Sequence, residues 1–519
     1  MWYTINAVPF LPYRAKLKRI LINDIMKARH PLPLSPPHEQ PQEEEHTERI
    51  KRRKETTHQS FISFVSTTQQ LCTLPFLITV VVASLDSADK SLLASSFAIL
   101  EKLYGFSVQQ LGYFSLATNL SYAVSLPFWS FLVHRYGMVH IHTILSFACV
   151  SWGLSTLGVG VFASDIVTQA IFRALNGFAL GSILPLSQTL LVEMVTPDMR
   201  GRAFGWLGLC EKLAGTMAAA SVVIYDSHWQ RSYLVLGLLS MVMARVVQRE
   251  LTSEKRAAAN RMKSANQDDV STSKKLTIRQ IVTRIVRIPA FVCLVMQGIF
   301  GGTPWDMMSF LLLLMDWRQF TKSQIVTLQF GTGLASTIGG WVGGVLGDHA
   351  ATLYDDTSKG RIVVALVSVI GGIPLYGLYL FSTHYHQAFL YSVLFHAVAS
   401  WTPAAALRPI CADLARNPSE RAQVMSLWIV LEKTSGALFG APLVGYLTDH
   451  MMKTHDRLND MNPDQKANTL AWNLFGLSAF FWVICAIFWV GMFVTIGDTT
   501  KDLSTQPRGN EKRDFEPLV

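Results

Sequence analysis

Thr196–Gly215 reads TPDMRGRAFGWLGLCEKLAG, and Asn417–Gly436 reads NPSERAQVMSLWIVLEKTSG. Pro197, Arg200, Glu211, Lys212 and Gly215 of the first stretch recur at the same offsets as Pro418, Arg421, Glu432, Lys433 and Gly436 of the second. Trp206 and Trp428 match with a slip of one position. Each stretch opens in a short basic loop and continues as an apolar helix with a Glu-Lys pair deep inside it. A charge at the centre of a bilayer costs roughly 2.5–3.5 kcal/mol on the insertion scale, so it persists only where it faces a bundle interior. A chain that repeats this feature in both halves reads as a two-fold membrane transporter.

Composition agrees. Half of the 519 residues are hydrophobic and only 16% are charged, and apolar runs of about 20 residues, enough to cross a hydrocarbon core of roughly 30 Å, recur along the chain. The expected fold is an all-α polytopic membrane protein with twelve transmembrane helices in two pseudo-symmetric six-helix bundles. The first-half spans fall near 74–98, 109–133, 139–160, 165–193, 201–224 and 229–247. The second-half spans fall near 288–314, 323–346, 360–382, 387–410, 420–447 and 470–496. The expected division is a disordered cytosolic tail at 1–73, bundles at 74–247 and 288–496, a cytosolic linker at 248–287 and a cytosolic tail at 497–519. Pro31–Pro41 and Glu43, Glu44 and Glu45 give the first tail a disordered composition. Met1–His30 is basic and poor in acids, as transit peptides are, but also poor in Ser, which favours an ordinary tail.

The net charge of +9 resides mostly in tails and loops. Arg135, Arg200, Arg202, Lys359, Arg361, Arg416, Arg421 and the basic linker alternate with nearly neutral loops on the other side, apart from a mixed-charge loop from Asp449 to Lys466. Lys and Arg mark the cytosolic face, so both termini are expected there. This accounts for the basic charge without nucleic acid. The six cysteines are scattered singly and suggest packing.

Small residues mark close helix approaches: Gly177 with Gly181, Gly436 with Gly440, and Gly339, Gly340, Gly343 and Gly344 on one face. Pro127, Pro185, Pro304, Pro374 and Pro403 interrupt spans. Gly301-Gly302-Thr303-Pro304-Trp305-Asp306 is the strongest break, read either as unwound backbone walling a cavity or as a simple kink.

The six-linker-six plan resembles the major facilitator superfamily. That superfamily's loop pattern after the second span, Gly-x-Leu-Ala-Asp-Arg-x-Gly-Arg, is echoed by Ser130, Leu132, His134, Arg135 and Gly137, with Ser for Gly and His for Asp. Gly344, Leu346 and Asp348 match it better in the second half. Within the superfamily the chain is similar to spinster-like transporters. Asp89-Lys90 stands where that group has an acid and a base, Arg173, Gly177 and Gly181 fit its fourth span, and Trp229, Tyr233 and Gly237 fit its sixth. That group's fourth-span Glu is Leu180 here. The resemblance implies alternating access by two rocking bundles, cytosolic latching through His134, Arg135, Gly137, Arg200, Gly344, Asp348 and Arg421, and a lysolipid or sphingolipid as one substrate class.

At ~1.5 Å per residue, Asp86, Asp89 and Arg173 share one layer of the membrane, and Glu211 and Glu432 fall near the midplane. Asp86 and Lys90 can pair at i,i+4, and Asp89 can pair with Arg173. Each adjacent Glu-Lys pair points about 100° apart, from 3.6 residues per turn, so its members need partners elsewhere. The expected substrate and proton pathway is Asp86, Asp89, Lys90, Arg173, Glu211, Lys212, Trp305, Asp306, Glu432 and Lys433, with one carboxylate changing protonation during the cycle. The competing reading is a static lattice of salt bridges. No nucleotide-binding, nucleophile-elbow or metalloprotease signature occurs, so no cofactor, metal site or enzymatic activity is expected. The expected partners are the bilayer, a small-molecule or lipid-like substrate and protons, with the chain acting as a monomer. A transporter-fold receptor or scaffold without flux is the alternative. Plasma membrane and lysosome-like organelle are both compatible with the sequence.

Overall fold

The structure is a computed structural model that describes residues 73–136, 140–162, 164–195, 200–263, 288–354, 357–413, 418–454 and 462–505. Among these every regular element is helical. The long helices are α1 (Leu74–Tyr104), α2 (Val108–Tyr136), α3 (Ile141–Val161), α4 (Ile166–Met194), α5 (Arg200–Ile224) and α6 (Gln230–Lys263). They continue as α7 (Pro289–Met307), α8 (Lys322–Ala351), α9 (Thr357–Phe381), α10 (Tyr385–Ala399), α11 (Pro418–Phe439) and α12 (Pro463–Thr505). Short continuations follow three of them: Leu311–Trp317 after α7, Arg408–Asp413 after α10 and Ala441–Thr454 after α11.

Local chemistry sets the ends. Pro occupies the first turn of α1 and of α7, where a missing N–H is harmless. Gly105 closes α1 at φ 67°, with its N–H bonding to the Glu101 carbonyl. Asp165 caps α4 by accepting from Thr168 N at 2.7 Å, and Thr321 with Gln324 forms a capping box on α8. The tails at 1–72 and 506–519, the stretch 264–287, and Gly137 lie outside the described residues. α6 runs on to Lys263, so the polar segment expected from residue 248 begins as helix.

Among the described residues ten segments are long and apolar enough to cross a membrane. α1 and α8 are 31 and 30 residues long but less apolar; α1 carries Asp86, Asp89 and Lys90 mid-helix, and α8 is rich in Gly and Thr. The faces of the bundle suit lipid. On α12, Phe480, Val483, Ile487, Val490 and Val494 form a helical stripe, each more than half exposed.

The two halves pack alike. α1 meets α5, α2 meets α4 and α3 meets α6, as α7 meets α11, α8 meets α10 and α9 meets α12. Between the halves α2 lies on α11 and α5 on α8, the same contact with the halves exchanged. Glycines set these crossings. A methyl at Gly177 would strike the Thr118 backbone, one at Gly153 would lie 2.7 Å from the Gly237 carbonyl, and one at Gly347 would lie 2.7 Å from the Ala405 backbone.

Two expectations are corrected here. Gly301–Asp306 is not unwound: α7 runs through Pro304 to Met307, and only Met308–Phe310 tightens into a 3₁₀ turn before Leu311–Trp317. Packed neighbours hold a helix that Gly and Pro alone would loosen. The irregular backbone falls instead at Pro403–Leu407, a π turn in the tenth span, and at Gly440, between α11 and Ala441–Thr454. Asp449 is not in a loop either; it lies buried on Ala441–Thr454.

Candidate functional site

A cavity of about 1090 Å³ lies between the halves, walled by α5 on one side and by α7, α8, α9, α10, α11 and α12 on the other. It runs from Glu211 and Glu432, well inside their helices, and Trp305, near the end of α7, to Phe204, Asp348 and Arg408 near one end of the bundle. The opposite end is sealed. There the Asp449 carboxylate accepts from Val108 N and Gln109 N at 3.2 and 3.1 Å, capping α2 across the interface between the halves. Lys102 pairs with Asp316 at 2.7 Å, and Trp317 Nε1 donates to Glu101 at 2.8 Å.

Of the expected pathway residues, Glu211, Lys212, Trp305 and Glu432 line the cavity. Lys212 is exposed to it, and Trp305 stacks on Phe395 with centroids 6.0 Å apart. Asp86, Lys90, Asp306 and Lys433 lie directly behind this wall. Lys90 Nζ is 2.7 Å from Asp86 Oδ2 and 4.5 Å from the centroid of Tyr122. Lys433 is 3.9 Å from Glu432 Oε1 and within electrostatic reach of Asp306 and Lys90. Glycines make room for the acids in a reciprocal way: a side-chain carbon at Gly302 would meet Glu432, and one at Gly436 would meet Asp306. α7 and α11 thus lend each other a carboxylate across two glycine notches.

Glu211 differs from the other acids. It faces Asp86 and Lys90 of α1, its own neighbour Lys212, and Arg408 beyond the π turn, yet it makes no ion pair within 4 Å among the described residues. Its Oε1 is buried with no hydrogen-bond partner.

The expected contact of Asp89 with Arg173 is corrected. Asp89 Oδ1 accepts from Trp152 Nε1 at 3.1 Å and Thr156 Oγ1 at 3.0 Å, and Asn176 donates to Thr156 at 2.9 Å. Arg173 donates to the Tyr233 hydroxyl at 2.8 Å, and Ser96 joins that hydroxyl. No ion pair links the two charges, although they lie within electrostatic reach. Trp152 and Thr156 of α3 supply the donors to Asp89 instead. This buried network ties α1, α3, α4 and α6 together, and neither charge lines the cavity.

Among the latch residues, Gly344 and Asp348 line the cavity near its end. Asp348 pairs with Arg361 at 2.7 Å, and Arg361 also donates to the Ala405 carbonyl at 3.1 Å, joining α8, α9 and the π turn. Arg135 is exposed at the end of α2. The side chains of His134, Arg200 and Arg421, and Gly137 altogether, lie outside the described residues. Sequence reasoning missed Arg408, Tyr122, Gln297, His396 and Asp449. Gln297 and His396, polar residues inside apolar spans, were legible signals. Arg408-Pro409 looked like a span end, and Asp449 was hidden in a mixed-charge stretch.

The family model of the Major Facilitator Superfamily matches residues 79–441. The chain belongs to this superfamily. As a facilitator-superfamily member it is 27% identical over 158 residues to a Bacillus subtilis protein named for niacin/nicotinamide transport, NiaP, covering 30% of this chain and 38% of that one. It is 32% identical over 84 residues to the multidrug export protein EmrB of Haemophilus influenzae, covering 16% of each. The chain thus spans well under half the length of either curated relative. In fold it is similar to a bacterial homologue of the human lysosomal transporter Spinster in an inward-facing conformation, at TM-score 0.65 and 14% identity, covering 83% of this chain and 97% of that one. A D-xylose-proton symporter is similar at TM-score 0.56 and 13% identity, covering 79% and 96%. The chain is a transporter-family membrane protein, not an enzyme.

Proposed function

We propose that this superfamily member is a secondary active transporter that moves a small organic solute through the cavity by alternating access, driven by a proton exchanged at Glu211. The observation that carries this reading is the cavity itself, a largely apolar space carrying a few charged groups between two like-packed halves, near one end of the bundle and sealed off from the other. With the termini in the cytosol, it faces the cytosol.

Glu211 is favoured as the proton carrier because of its surroundings. A proton on Asp86 would strand Lys90, and one on Asp348 would strand Arg361. A proton on Glu211 breaks no ion pair and neutralises a carboxylate whose buried oxygen has no hydrogen-bond partner. Glu432 is less free, since it neighbours Lys433. Asp89 and Arg173 are assigned to a structural network rather than to the pathway. The relative NiaP, named for niacin/nicotinamide transport, fits a small organic substrate, and the charged groups Glu211, Lys212, Arg408 and Glu432 on an otherwise largely apolar wall support a solute with both a polar and an apolar part.

The test is counterflow of a labelled solute library in proteoliposomes. Saturable counterflow of one solute class is expected, stimulated by a pH gradient in the wild type and indifferent to it in Glu211→Gln. Binding without flux would favour the receptor reading. Undiminished proton stimulation in Glu211→Gln would remove Glu211 from the coupling step.

A further inference from the structure

Two cations line the cavity wall without a direct ion pair among the described residues. Among the described residues neither Lys212 nor Arg408 makes an ion pair or a side-chain hydrogen bond, and both face the same space. They come from opposite halves, Lys212 from α5 and Arg408 from the helix that follows the π turn. Glu211 is, among the described residues, an acid within electrostatic reach of both. Five of the described tryptophans line the same cavity; Trp482 and Trp489 are buried in the wall, while Trp305, Trp341 and Trp428 are at least partly exposed. Both cations are exposed to the cavity, where an entering anion can pair with them, and a flat aromatic surface in the same wall suits a planar solute.

We propose that the cavity takes a small aromatic organic monoanion, its carboxylate held between Lys212 and Arg408 and its ring against these tryptophans, and that a proton on Glu211 enters with it. This rests on the transport reading above and names its cargo. The charges balance only in that form. In and directly behind the cavity wall the acids Asp86, Glu211, Asp306 and Glu432 face the bases Lys90, Lys212, Arg408 and Lys433, while Asp348 and Arg361 neutralise each other. A monoanion alone would leave one negative charge in excess in a low-dielectric interior. One proton on Glu211 cancels it and releases Lys212 and Arg408 from the acid they share. Proton and anion therefore favour each other's binding, and by linkage the effect is reciprocal. The coupled step is electroneutral symport.

The test uses purified protein in detergent, at neutral pH, with benzoate and indole-3-acetate as probes and benzamide and indole-3-acetamide as their uncharged partners. Thermal unfolding is expected to shift upward with the carboxylates and not with the amides. Lys212→Gln and Arg408→Gln should each weaken that binding by about tenfold or more, and Lys212→Arg should restore most of it. Calorimetric titration in buffers of different ionisation enthalpy should show proton uptake with each carboxylate, absent in Glu211→Gln. Equal binding of the amides, no binding of either carboxylate, or unaltered affinity in both cation variants would overturn the site. Proton uptake that persists in Glu211→Gln would overturn the coupling. Carboxylate binding without counterflow in proteoliposomes would instead remove the transport reading and leave the anion site standing. Counterflow restricted to uncharged or cationic solutes would do the reverse.

Discussion

Asp89 and Glu211 lie in the same half, yet their surroundings assign them different work. Asp89 is buried beneath two donors, the Trp152 indole and the Thr156 hydroxyl. Asp89→Ala strands both donors and removes the anion nearest Arg173, so it should lower stability by about 3 kcal/mol or more. Asp89→Asn, which keeps an acceptor, should cost about 1 kcal/mol. Thermal unfolding in detergent reads both, and a wild-type midpoint for Asp89→Ala would contradict the structural role. Glu211→Gln breaks no contact and should leave the midpoint in place while abolishing proton stimulation. The doubled Glu-Lys motif made Glu211, Lys212 and Glu432 legible, because repetition singles out a costly residue whatever its partners. The partners were not legible. Helix rise gives depth but not the direction a side chain faces, and so Asp89 and Arg173 looked like a pair although Asp89 bonds to α3 side chains and Arg173 to Tyr233.

At the scale of the helix, glycine does two different jobs here. Gly177 and Gly153 lie where a methyl would meet backbone, which cannot yield, whereas Gly205 and Gly208 face open space. Gly177→Ala should therefore cost roughly 1–3 kcal/mol through forced separation of α2 from α4, while Gly208→Ala should unfold like the wild type. Equal midpoints for the two variants would show that these crossings are not set by contact. The small-residue spacing was readable as close packing. The break at Gly301–Asp306 was over-read, because local propensity is a weak prior once a helix is enclosed by neighbours. The π turn at Pro403–Leu407 left no periodic trace, since a single extra residue in one turn leaves the surrounding hydrophobic pattern in place. It sets the stretch that leads to Arg408 against the cavity, and π turns often occur at such sites.

For the whole molecule, the exchange of contacts between halves (α2 on α11, α5 on α8) gives two equivalent interfaces about one cavity. The sequence repeat implied that arrangement. Which end is closed was not readable, because closure rests on single contacts such as Asp449 with the start of α2. Asp449→Ala removes the acceptor for two helix-terminal N–H groups, so it should shift the population toward a form open at that end. Double electron-electron resonance tests this most directly. One spin-label pair replaces Leu103 and Lys453, exposed at the sealed end, and a second replaces Gly205 and Val345, which line the cavity toward the other. In liposomes the first pair should lengthen as the second shortens, with Asp449→Ala raising the long-distance fraction of the first. Distances that stay single-valued at both ends, in the variant and across pH, would contradict alternating access.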